Sequence, residues 1–207
     1  MAQETMPQTI PPPHRGGHVL HLQAQETLGT SDIRASVKRP NSVDEDTWIA
    51  SQSKVIFEEA VRVVSFISDI CTDHTCPIMS AGEKVHYHWA DETTTVPELL
   101  PAPQYMRRLV EWADAKLLDK DLLPSDGSPM PPELRPALAQ ILRRLFRVYA
   151  HAYVHHFQLI HDSGAEAHLN CNFKHFLFFV LEFNLVSMDE MLPLDGLIRK
   201  FAGELIQ

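Results

Sequence analysis

Apolar positions recur at helical spacing along most of this chain. Trp48, Val55, Ile56, Val63, Phe66, Ile67 and Ile70 follow Asn41 and Ser42 and predict a long helix that stops at Cys71. Asp44, Glu45 and Asp46 fall in its first turn, where carboxylates suit the positive end of the helix dipole. The run VHYHW, Val85 to Trp89, is aromatic and alternating and predicts a short strand or hairpin arm. Pro97, Pro101 and Pro103 mark a linker, after which a helix is expected from Pro103 to Leu118. A Pro/Gly-rich loop covers 124 to 132. The longest periodic run then extends from Glu133 to His161, with Pro136 tolerable in its first turn and Gly164 breaking the pattern. Two more helices are expected, from Ala165 to Asn184 and from Met188 to Leu205. Five helices with little strand predict an all-α helical bundle carrying a small β-hairpin.

The first 30 or so residues of the 207 are rich in Pro, Gln, Thr and His with few large apolar side chains, a composition that builds no packed core. Residues 1–32 therefore read as a flexible tail and 33–207 as one domain. No long uncharged apolar run predicts a membrane span, and MAQETMPQTIPPPHRGG holds no stretch of signal-peptide length. The protein reads as intracellular, where thiols stay reduced, so Cys71 and Cys76 fit metal ligation better than a disulfide. Cys171, inside an apolar helical stretch, reads as a small buried residue. A net charge of -9 argues against a general nucleic-acid binder, which needs clustered cations. It suits basic partners such as peptides, and plain solubility accounts for it as well.

Chemistry concentrates in two places about eighty residues apart. Cys71 and Cys76 bracket CTDHTC, a spacing within the ordinary range for zinc, and HAYVHH supplies His151, His155 and His156. His151 and His155 are one helical turn apart and share a face. His151 and His156 fall roughly 140° apart on an ideal helix and need a longer reach or a helix irregularity. Periodicity alone selects His155. His74 is a further ligand candidate, and twelve histidines make chance clusters common. A closed Cys2His2 set would be structural, clamping the start of the domain to a helix near its end.

Arg143, Arg144 and Arg147 precede the histidines on the same predicted helix, at i,i+3 and i,i+4 spacing that brings three guanidinium groups to one side. Guanidinium forks suit a phosphoserine or phosphothreonine peptide, and a solvated basic face is the plainer alternative. No GxGxxG, P-loop, GxSxG, kinase or HExxH signature is present. The acid pairs Glu58/Glu59 and Asp189/Glu190 sit in helical context and read as solvated faces.

Three blocks, CPIMSAGEKVHYHWAD, RLFRVYAHAYVHHF and AHLNCNFKHFLFFVLEFNL, make the chain closely resemble the Mob/phocein family of kinase activators, from roughly residue 25 to the C-terminus. The resemblance implies a non-catalytic adaptor that binds the N-terminal regulatory region of NDR/LATS-type kinases in Hippo-like and mitotic-exit signalling. It implies zinc held by Cys71, Cys76, His151 and His156, overriding the periodicity choice of His155. It places a phosphopeptide pocket for upstream Ste20-like kinases or scaffolds on Arg143, Arg144 and Arg147. It centres the kinase-binding surface on Asp44, Glu45, Asp46 and Trp48, although Thr47 stands where the family has an acid. Thr27 in ETLGT matches a family phosphorylation site. A monomer is expected, cytoplasmic, with the nucleus, spindle poles or division site as further family locations. A trafficking scaffold of the phocein branch and a zinc-dependent hydrolase are the competing classes.

Overall fold

The computed structural model describes residues 32–203 apart from 125 and 127. Thr27 and the tail expected over 1–32 lie outside the described residues, except Asp32. That residue caps a short helix the sequence pattern did not reveal, α1 (Ile33–Val37), by accepting from the Arg34 and Ala35 amides.

The first long helix, α2 (Glu45–Ile67), begins one residue later than the acid run suggests. Asp44 is its N-cap rather than a first-turn residue, and its carboxylate accepts from the Thr47 amide at 3.0 Å. Ile49, Ala50, Ser53, Ile56, Phe57, Ala60, Val63 and Ile67 form its buried stripe. The helix closes at Ile67 instead of Cys71, and a turn carries the chain on, with the Cys71 amide bonded to Ile67 O at 2.8 Å. The aromatic segment is mostly irregular. Only β1 (His88–Trp89) pairs, antiparallel, with β2 (Glu98–Leu99), beside an isolated bridge from Ser80 to His86. Helix α3 (Ala102–Leu118) starts from Pro101, whose missing N–H costs nothing at a helix start.

The expected long run divides into three. Helix α4 (Leu134–His151) passes through a π-helical segment, Ala152–His156, into the short α5 (Phe157–Asp162). Gly164, at φ 74°, takes the left-handed conformation that ends it. Helix α6 (Glu166–Glu182) follows. The final helix is also divided, because Pro193 offers no amide. Met188–Leu194 is 3-10, opened by a Ser187/Glu190 capping box, and α7 (Asp195–Ala202) is α-helical.

Helix α4 is the axis of the bundle. It packs most extensively on α2, with α3 and the 3-10 segment at its sides. Phe146 and Tyr149 of α4 meet Phe173 and Phe176 of α6 in a buried aromatic slab, and the Tyr149 ring lies 5.4 Å from each phenylalanine. Helices α2 and α6 are joined at half-buried His175, which contacts Glu59 at 2.9 Å and Gln52 at 3.2 Å. Glu59 is thus an internal partner rather than part of a solvated face. Cys171 on α6 is half-buried, less enclosed than its apolar neighbourhood suggests. Among the described residues no helix is long and apolar enough to cross a membrane.

Candidate functional site

Cys71, Cys76, His151 and His156 converge into one buried group, their ligand atoms all within 4.8 Å of one another. Local sequence positions each pair. Thr72 and Thr75 brace the turn between the cysteines: the Thr75 hydroxyl donates to Ile70 O at 2.6 Å and the Cys76 amide returns to Thr72 O. Cys76 O in turn accepts from the Ala102 amide at the start of α3. The π-helical segment answers the phase problem of the histidines. Its i→i+5 bonding stacks residues five apart, so His151 and His156 come onto one side. His156 Nε2 then lies 3.3 Å from His151 Nε2.

The dimensions suit a small tetrahedral cation. Zinc bonds of ordinary length set neighbouring nitrogens about 3.3 Å apart and a nitrogen and a sulfur about 3.6 Å apart. Here Cys71 Sγ is 3.4 Å from His151 Nε2, and Cys76 Sγ is 3.5 Å from His156 Nε2. His151 Nδ1 meets Ser80 O at 2.9 Å, a contact that fixes the ring and turns the Nε2 lone pair toward the sulfurs. The hydrogen bond between the two free thiols pushes Cys71 up and pulls Cys76 down, and both imidazoles add to the pull. His155 takes no part. Its Nε2 sits 3.0 Å from Ser80 Oγ and 3.4 Å from the Gly82 amide. His74 is exposed and outside the group.

The three arginines do not point to one place. Arg144 lies over two tryptophans, its Cζ 4.1 Å from the Trp112 ring centre and 4.9 Å from that of Trp89, while its Nη2 donates to Ala90 O at 2.7 Å. Arg147 covers Tyr87 at 5.1 Å and donates to the Tyr105 hydroxyl. Arg143 turns instead to the 3-10 segment, where its Nε meets Glu190 Oε1 at 2.7 Å. Burial, with the positive charge of Arg147 beside it, lowers the Arg144 pKa. Arg144 Nη1 and the Tyr87 hydroxyl are buried without a hydrogen-bond partner among the described residues.

Asp91 holds this platform in shape. It accepts from the Thr93 amide and hydroxyl, both at 2.8 Å, from the Thr94 amide at 2.6 Å and from the Trp89 indole at 3.0 Å. Burial would raise its pKa, but these bonds outweigh it and bring the carboxyl down to about 2.

The acids at the head of α2 are largely spoken for. Arg135 of α4 pairs with Asp46 at 2.7 Å and with Glu45, and Asp44 is the cap. Trp48 is half-buried, its indole N–H donating to Val37 O at 2.9 Å and tying α1 to α2. Among the exposed positions of α2, most of them polar, Val55 and Phe66 are the large apolar ones. Phe66 is 46% exposed at the edge of a groove of about 430 Å³ between α2 and the α5–α6 corner. Val63, Ile160 and Leu169 line it, with Arg62 and His168 at its sides. In the sequence pattern Phe66 is one of the apolar positions at helical spacing. Its phase, close to that of exposed Val55 eleven residues earlier, was the available signal that both leave the buried stripe.

The structure is thus a helical bundle in which a buried Cys2His2 group joins the turn after α2 to the end of α4, with an arginine–tryptophan platform on α4. The chain belongs to the Mob1/phocein family, whose description matches residues 25–194. It is similar to MOB kinase activator-like 1 homolog A of Dictyostelium discoideum, 41% identical over 187 residues covering 88% of each chain. It is also similar to MOB kinase activator 3B of Mus musculus, 40% identical over 178 residues covering 84% of this chain and 82% of the other, and equally to MOB kinase activator 3A of Homo sapiens.

Proposed function

We propose that this protein is a non-enzymatic kinase co-activator. It would bind the N-terminal regulatory segment of an NDR/LATS-type kinase in Hippo-like or mitotic-exit signalling, in the cytoplasm. Membership of a family whose relatives are named kinase activators carries the reading. That name describes a regulatory role and not a catalytic one. The exposed Phe66 groove supports it, offering an apolar seat for a helix with Trp48 at the other end of α2. Asp44, Glu45 and Asp46 contribute acid at the head of α2, with the charge of Glu45 and Asp46 already shared with Arg135. A preorganised surface of this kind favours the active population of its kinase.

Zinc is the cation proposed for Cys71, Cys76, His151 and His156, since thiolate and imidazole donors in a tetrahedron suit it. Four protein donors leave no position for a reacting water, which favours a structural metal over a hydrolase. Bound there, zinc supplies cross-linking of the α2 end to α4. The arginine platform is proposed to read a phosphorylated Ste20-like kinase or scaffold through Arg144 and Arg147, with Arg143 at its edge; the bonding of Arg144 and Arg147 to a neutral carbonyl and a phenol, which leaves their charge for an anion, supports this. Thr27 is proposed as the regulatory phosphosite.

The test is activation itself. Adding the protein to an NDR/LATS-type kinase from the same organism should raise its phosphotransfer rate in proportion to the complex formed. A kinase that binds the protein without any change in rate would overturn the co-activator reading.

A further inference from the structure

The arginine strip is not open along its length, because one of its three cations is already occupied from within. Arg143 Nε meets Glu190 Oε1 at 2.7 Å, with the two side chains 44% and 32% exposed. The other oxygen of that carboxylate does separate work. Glu190 Oε2 accepts from the Ser187 amide and from the Ser187 hydroxyl, each at 3.3 Å, closing the capping box that starts the 3-10 segment. One carboxylate therefore joins the edge of the strip to the first turn of Met188–Leu194. Among the described residues Arg144 and Arg147 form no ion pair with a carboxylate; they meet a carbonyl, a phenol and aromatic faces.

From this contact we infer that Glu190 is an internal competitor for the phosphate of the phosphopeptide, an inference that rests on the reading of the strip given above. A phosphate reaching Arg143 meets a guanidinium whose Nε is committed and a carboxylate of its own sign beside it. Two anions on one fork repel, so full engagement exchanges the Glu190 contact for the phosphate and leaves Glu190 to its Ser187 cap alone or to water. Arg144 and Arg147 give the first hold, and Arg143 is recruited second. The exchange also reports to the C-terminal end of the fold, since the same side chain caps the 3-10 segment that leads into α7.

The experiment is a fluorescence anisotropy titration of the full chain, metal-loaded, with a labelled phosphothreonine peptide and its unphosphorylated form. Glu190→Gln removes the charge, keeps the shape and retains a cap acceptor. It should tighten binding of the phosphopeptide by about two- to fivefold, the range of a partly exposed ion pair. In an Arg143→Gln background the same change should give no gain, because the competitor then has nothing to withhold. Ser187→Ala, which loosens the cap and leaves the ion pair, should bind as the wild type does. Unchanged or weaker binding by a folded Glu190→Gln protein, with the wild type still selecting phosphate, would overturn the competitor role alone. A gain that survives without Arg143 would do the same. A wild type that binds both peptides alike would remove the phosphopeptide site and the competitor with it.

Discussion

His151 and His156 hold their Nε2 atoms 3.3 Å apart although five residues separate them, and the π-helical turn between them makes this possible. An uninterrupted α-helix would present His155 to the cysteines instead. The local backbone thus decides which imidazole is a ligand candidate. His155, left over, is held by Ser80 and the Gly82 amide.

The choice of histidine predicts a sharp contrast between neighbours. His156→Ala should abolish stoichiometric metal and lower stability by at least about 3 kcal/mol, since it leaves buried thiols and an imidazole without their partner. At roughly 2–4 °C per kcal/mol for a domain of this size, the melting temperature should drop by about 10 °C. His155→Ala should keep the metal, with a far smaller change. Elemental analysis and thermal melts of both variants check this, and a chelator should reduce the wild type to the His156→Ala value. Equal metal content in the two variants would contradict the assignment.

Asp91 gives a pH-dependent prediction. Its pKa lies below the ordinary carboxylate value of 3.8, at about 2, because its bonds favour the ionised form. A group depressed on folding stabilises the fold above its unfolded pKa, and that contribution fades as pH falls through the folded one. The stability gap between wild type and Asp91→Asn should therefore be constant above about pH 4 and close between about pH 4 and pH 2. Parallel melts of the two proteins measure the gap and cancel any loss of metal in acid. A gap that persists at the acid end would mean Asp91 acts through shape alone.

Arg144 and Arg147 should carry most of the phosphate affinity. Replacing both by Ala should weaken phosphothreonine-peptide binding at least about tenfold, given charge-assisted bonds worth roughly 1.5–3 kcal/mol each. Arg144→Lys keeps a charge but loses the planar stack on Trp112 and Trp89, so it should recover only part of the loss. Kinase-segment binding should be unaffected in both variants. Loss of both activities together would indicate a damaged fold or a shared surface.

The sequence pattern located the helices, the cysteine pair and the histidine cluster, because burial and ligation leave residue types at readable spacings. It did not resolve what depends on partners far along the chain. Arg143, Arg144 and Arg147 share a helix face by count, yet Glu190 draws the first away and the tryptophans take the second. Glu45 and Asp46 read as free acid until Arg135 is brought beside them. The π-turn leaves no mark in a 3.6-residue period, and the short α1 is too brief to show one. Phe66 and Val55 counted toward the helical period as apolar positions, while their phase on α2 carries them outside the buried stripe.

The most direct test of the account is calorimetric titration with the basic N-terminal regulatory segment of an NDR/LATS-type kinase from the same organism. The metal-loaded wild type should bind one segment per chain. Phe66→Asp, which alters an exposed side chain and leaves the core intact, should weaken binding by about tenfold or more, as expected for an apolar anchor in a docking surface. Charge reversal at Asp44 to Asp46 should weaken it less, because Arg135 already balances two of those acids. Absence of binding by well-folded, metal-loaded protein would contradict the co-activator account. Full-strength binding by Phe66→Asp would place the kinase elsewhere on the molecule.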